Sequence, residues 1–217
     1  MTKSSSCRVP RGAATYEDGA CELAIGCFAA ICTDRLGEHL VSFSQAWPSV
    51  SVGIHELTRA GLISGLRAGD ITLAVLPGQP DPRFSSRLLW QDRVVALVAR
   101  DHPLAGLAGL ASTDLGELRF LVSRRDHGAD LHSFLTSRIS NDLRLPADMR
   151  DGDTTQLLDL VAAGAGAALA CESQAIGRDD VAVLPVRAPL AHFTVFATWC
   201  EDRMTPALKA LITRLAT

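Results

Sequence analysis

The feature that most restricts the fold is an alternation of strand-like and helix-like patterns between Glu22 and Leu76. Glu22 to Cys27 (ELAIGC) is a short apolar run of the kind buried on both faces of a sheet. Thr33 to Trp47 follows, with Leu36, Leu40, Phe43 and Trp47 on one helical stripe, and Pro48 stops it. Val50, Val52 and Ile54 alternate as in a second strand. Thr58 to Ala68 reads as a second helix closed by Gly69, which suits a left-handed cap. Ile71 to Leu76 is a third apolar strand. Strands separated by helices pair in parallel through right-handed crossovers, so this stretch predicts an α/β unit.

A second unit follows the break at Pro77-Gly78-Gln79-Pro80-Asp81-Pro82. Arg93 to Ala99, Phe120 to Val122, Ala167 to Cys171, Val181 to Leu184 and Phe193 to Cys200 read as strands. Leu131 to Ile139 reads as a helix. Asp153 to Ala163 is another, with Asp153 and Gln156 spaced as a capping box and Gly164 positioned to close it. Thr205-Pro206 starts a last helix, with Pro at the first helical position. The second unit is thus inserted before the chain returns to the first.

The 217 residues suffice for one large domain or two small lobes. A net charge of -3 and an aromatic content of 5% argue against a nucleic-acid surface or a base-stacking platform. The longest apolar stretch, near Leu160 to Cys171, is too short to span a membrane. Residues 1–21 read as a tail or linker remnant without a secretory apolar region, which places the chain in the cytoplasm. The six cysteines, at 7, 21, 27, 32, 171 and 200, show no C-x-x-C pair and no zinc spacing. No G-x-S-x-G or H-E-x-x-H is present, and the Gly164/Gly166 turn lacks the Lys and Ser/Thr of a phosphate loop. No enzyme chemistry, metal or cofactor is expected. Asp151, Asp153 and Asp159 are read as capping and solvent-facing carboxylates rather than a metal cluster.

Five stretches, in order, resemble the LysR-type transcriptional regulators. They are ELAIG with the helix end Phe43 to Pro48, the run Gly65 to Val75 (GLRAGDITLAV), Asp101-His102-Pro103-Leu104-Ala105, Thr113-Asp114-Leu115, and Leu160 to Leu169 (LVAAGAGAAL). Thr72 stands where the family usually has Asp. The resemblance covers residues 22 to 217 and implies the effector-binding domain of such a regulator. Its fold would be the two-lobed type 2 periplasmic-binding-protein fold, each lobe a sheet flanked by helices. Lobe one would comprise residues 22–92 plus 199–217, and lobe two residues 93–198. The winged helix-turn-helix of the family has no counterpart before Glu22, so DNA contact would need an absent N-terminal domain. The resemblance also implies a homodimer, and a tetramer in a full-length regulator.

In parallel α/β folds ligands sit beyond the carboxyl ends of the strands. The family's effector contacts then map onto Cys27, Phe28, Ala29 and Ala30 after the first strand, Leu57 and Thr58 after the second, and Leu76 and Pro77 after the third. From lobe two come Ser123, Arg124, Arg125, Asp153 and Thr154. The first loop, Phe28-Ala29-Ala30-Ile31, makes one wall apolar where relatives carry a hydroxyl. Arg124 and Arg125 offer forked recognition of a carboxylate, or else two solvated charges. The expected ligand is a small organic anion with an apolar body. A solute-binding protein of the same fold, or a redox sensor using Cys27 and Cys32, are the alternatives; in the family such chemistry lies in the second lobe, where Cys171 stands nearly alone.

Overall fold

The computed structural model describes residues 21–28, 33–125, 127–140, 142–175, 177–189 and 191–216. The expected tail apart from Cys21, the loop residues Ala29, Ala30 and Ile31, and Asp126 lie outside the described residues.

The first unit forms as its pattern predicts: β1 (Cys21–Phe28), α1 (Thr33–Ala46), β2 (Val50–Leu57), α2 (Arg59–Ala68) and β3 (Leu73–Pro77). β1 lies between β2 and β3 and is parallel to both, with Ile25 opposite Ile54 on one side and Leu73 on the other. Thr58 caps α2, its hydroxyl accepting from the Gly61 amide at 3.1 Å. Gly69 closes the helix at φ 88°, a left-handed conformation that costs a side-chain-bearing residue strain. The Thr72 hydroxyl accepts from the Ala24 amide at 3.0 Å, while the Thr72 amide donates to the Ala24 carbonyl at 2.8 Å. The departure at this position therefore knits the start of β3 to β1.

The chain then enters β4 (Ser85–Ala99), which sequence patterning locates only from Arg93 onward. Fifteen residues at ~3.3 Å each reach about 50 Å, long enough to run through two sheets. Its first part, Ser85 to Arg93, pairs antiparallel with β9 (His192–Trp199), and a register shift falls between Leu88 and Trp90. From Val94 it pairs with β7 (Ala168–Cys171) on one side and, from Val95, with β8 (Val181–Pro185) on the other. The first sheet thus has the order β2-β1-β3-β9-β4. β5 (Phe120–Ser123) pairs in parallel with β6 (Ala147–Arg150) and bridges to Ala167 just ahead of β7. α3 (Ser112–Leu115), α4 (Gly128–Ile139) and α5 (Thr154–Ala162) belong to this second part, and α6 (Pro206–Leu215) closes the chain against α1. Each part is a sheet flanked by helices, the two-lobed α/β arrangement expected.

Val195 to Thr198 already pair with β3 residues Pro77 to Ala74, so the chain rejoins the first sheet within β9. Strand pairing, rather than the apolar run itself, decides membership.

Burial explains why β4 holds both parts. Val94, Ala96 and Val98 point to the large core that includes Leu131, Leu135 and Ile139 of α4. Val95 and Leu97 point to the opposite face and pack with Leu157, Leu158 and Val161 of α5. Successive residues of a strand face opposite ways, so one apolar run fills two layers. We expect Gly69→Ala to lower the unfolding free energy by about 1 kcal/mol or more, read in urea, because the backbone is left-handed there. The added Cβ would also stand 3.0 Å from Nη1 of Arg203.

Candidate functional site

Parallel pairing brings the ends of β1, β2 and β3 together: Phe28 stands opposite Leu57, and Cys27 opposite both Glu56 and Val75. The expected lobe-one residues Cys27, Phe28, Leu57, Thr58, Leu76 and Pro77 therefore share one sheet end. Cys27, Phe28 and Leu76 are almost completely buried there. Beside them sits a cation that sequence reasoning passed over. Arg59 opens α2, where the positive end of a helix disfavours it. Its Nη1 donates to the Pro77 carbonyl and its Nη2 to the Gln79 carbonyl, each at 2.7 Å. The misplaced charge at the start of the helix was the available signal.

On the lobe-two side, Ser123 ends β5 and is buried. Its hydroxyl has Gly152 carbonyl oxygen at 2.6 Å and Arg125 carbonyl oxygen at 3.0 Å as acceptors, and accepts from the Arg125 amide at 2.8 Å. That hydroxyl fastens two loops together. Arg124 and Arg125 are exposed. Arg124 lies 3.6 Å from Asp151, a surface pair of small energetic weight. Asp153 caps α5 by accepting from the Gln156 amide at 2.9 Å, and Gln156 returns the contact to the Asp153 amide. Ser123 and Thr154 line a small cavity of about 50 Å³ inside lobe two, together with His132 and Gln174.

Phe134 of α4 connects the two sides. Its ring stands edge-on to Phe28 at 5.7 Å and to Phe193 of β9 at 5.3 Å. A Cβ on Gly78 would lie 4.0 Å from its ring. A second connection lies where β4 changes partners. Asp92 is buried and accepts from the Arg93 amide and from the Ser173 hydroxyl. Arg93 makes a forked ion pair with Glu172. Both fasten the turn Glu172–Ala175 to the strand at its crossing point.

Cys27 and Cys171 do not suit redox sensing, and Cys32 lies outside the described residues. Cys27 has no exposed surface, so it is not at a cleft mouth. Cys171 is equally buried, and burial, aided by nearby Asp92, pushes its thiol up, away from the reactive thiolate. Among the described residues, no group of three or more His, Cys, Asp or Glu is placed to hold a metal ion. Asp159 instead pairs with Arg178 at 3.0 Å. The His102 ring accepts from the Leu104 amide at 3.2 Å, a turn-forming role. No helix among the described residues is long and apolar enough to cross a membrane.

Residues 18–217 match the family described as the LysR substrate binding domain. The chain belongs to that family. The "uncharacterized HTH-type transcriptional regulator YybE" of Bacillus subtilis (strain 168) is 21% identical over 183 residues, 83% of this chain and 62% of that protein. This chain therefore spans less than two thirds of the length of that curated relative. The C-terminal domain of a probable LysR family transcriptional regulator from Rhodococcus sp. RHA1 superposes with TM-score 0.72 at 23% identity, covering 90% of this chain and 98% of that one. The BenM effector-binding domain with its effector benzoate gives TM-score 0.69 at 19% identity, covering 89% and 90%. These structures share the fold of this LysR substrate-binding domain, and they are regulator domains rather than enzymes.

Within the LysR domain, His132 of α4 carries a testable electrostatic signature. Burial holds its imidazole below the usual value of 6.5, partly offset by the Leu145 carbonyl at 3.4 Å. A depressed folded value means the unfolded chain binds the extra proton first. The stabilising contribution is complete above pH 6.5 and is lost as pH falls below it. The drop in melting temperature between roughly pH 7.5 and 5.5 should be smaller in His132→Gln than in the unaltered chain.

Proposed function

We propose that this chain is the effector-sensing part of a LysR-type transcriptional regulator, and that it takes a small organic anion with an apolar body into the cleft between its lobes. The observation that carries this reading is the meeting of an apolar strand end (Phe28, Leu57, Leu76, Pro77) with Arg59; Arg124 and Arg125, exposed after β5, are the second source of charge in the proposal. Two of the five N–H donors of Arg59 bind carbonyls, which orients the guanidinium beside the apolar wall. Thr58 keeps its hydroxyl hydrogen for a ligand, since its oxygen acts as acceptor in the cap. Ala29, Ala30, Asp153 and Thr154 complete the proposed lining.

Binding that favours one relative orientation of the lobes would shift the population toward it, and a homodimer would pass the change to DNA-binding domains attached at the N-terminus. The exposed apolar side chains Val41 and Ile54, on α1 and β2, flank a shallow groove of about 450 Å³ that suits a second copy of this chain. A cytoplasmic location accords with this role. A solute-binding protein of the same fold would bind a ligand without this coupling, and a cysteine-based sensor would need a more accessible thiol.

A melting-temperature screen of the full chain against benzoate, aliphatic acids, amino acids and sugar phosphates tests the reading. An acid present at about 100 times its Kd should raise Tm by roughly 5–10 °C. Arg124→Ala or Arg125→Ala should remove at least half of that rise. No rise with any anion, or a full rise in both variants, would contradict it.

A further inference from the structure

Phe134 stands out at the margin of its core. Leu131, Leu135 and Ile139 form the buried stripe of α4 and belong to the core packed against β4. Phe134, three residues after Leu131, flanks that stripe and packs against the same core but stays half-buried. It reaches Phe28 at the end of β1 and Phe193 in β9, both almost completely buried, and Gly78 after β3. Both aromatic contacts are edge-on, with interplanar angles of 69° and 85°. Such geometry sets the positive edge of one ring against the negative face of another. α4 is held in this position at two further points, by His132 near the Leu145 carbonyl and by Arg138 donating to the His192 carbonyl at 3.3 Å.

The three rings thus make an aromatic wall contributed by a lobe-two helix, a lobe-one strand end and the strand connecting them. Phe28 and Phe193 have almost no surface left to offer, so Phe134 is the member of the wall that can meet an incoming molecule. Arg59 lies at the same edge: its Nη1, like the Phe134 ring, would stand 4.0 Å from a Cβ on Gly78.

We infer that Phe134 is the specificity-determining residue of the cleft, favouring a planar aromatic acid over a saturated acid of the same size and charge. The inference rests on the cleft being the effector site. A flat ring can take the edge-to-face or offset place that the existing pairs leave open, whereas a puckered ring gains only apolar contact. The charged group would then fall toward Arg59.

The test is calorimetric titration of the full chain with benzoate and with cyclohexanecarboxylate, probes matched in charge and nearly in volume. The unaltered chain should bind benzoate about fivefold more tightly, the ratio an aromatic pair contact supports. Phe134→Leu should bring the two affinities within about twofold by weakening benzoate alone, and Phe134→Tyr, which keeps the ring, should retain the preference. Melting curves establish that both variants are folded. An unchanged ratio in Phe134→Leu, or equal loss for both acids, would overturn the inference. If other anions bind but neither of these does, the inference falls and the cleft reading stands. If no anion binds, both fall.

Discussion

The passage of the single strand β4 through both sheets is the constraint on which the rest of the molecule depends. It pairs with β9 up to Arg93 and with β7 and β8 beyond it, so the two sheets are joined through one strand. Its later half is buried on both faces, which fixes register strongly. The polar residues at the crossing, Asp92 and Arg93, are both engaged, by Ser173 and Glu172 respectively. Leaving the buried Asp92 carboxylate without those donors would cost more than the contacts themselves contribute. The two parts are therefore tied through β4, and Phe134 of α4 gives a second contact at the strand end of β1.

That arrangement makes this strand end the place where a small molecule acts with most leverage. The half-buried Leu57 and Phe134 offer apolar surface over the buried Phe28 and Leu76, while Arg59, Arg124 and Arg125 offer charge. Phe134 of α4 contacts Phe28 at the end of β1. Contact across a hinge held at one side changes the relative stability of lobe orientations, and any orientation-dependent neighbour, a second chain or an attached domain, responds to that difference.

Much of this was legible in the sequence, and the exceptions have physical causes. α1, α2, α5 and α6 carry their own start and stop chemistry, so Pro48, Thr58, Gly69, Asp153 and Thr205 mark real boundaries. β6 was not legible: the alternation of Ala147-Asp148-Met149-Arg150 is only four residues long, too short to signal a strand without β5 beside it. The first half of β4 was hidden for a similar reason, since its largely exposed residues pair with β9 but bury little. At the site, the strand-end positions followed from parallel topology alone. The hydroxyl of Ser123 did not, because its bond to Gly152 depends on a loop 29 residues away. Phe134 looked like one more apolar residue of an amphipathic helix. Its contacts with Phe28 and Phe193 exist only once β1 and β9 lie beside α4, and the Arg59 clamp only once the segment after β3 returns to α2.

Hydrogen exchange of the full chain with and without saturating benzoate tests the central claim most directly. Closure of the cleft predicts slowed exchange in both lobes together, at Leu57 to Gly61 and Gly78 on one side and at Ser123 to Arg125 and α4 on the other. Protection confined to one lobe, or found only at sites remote from the strand ends, would contradict it.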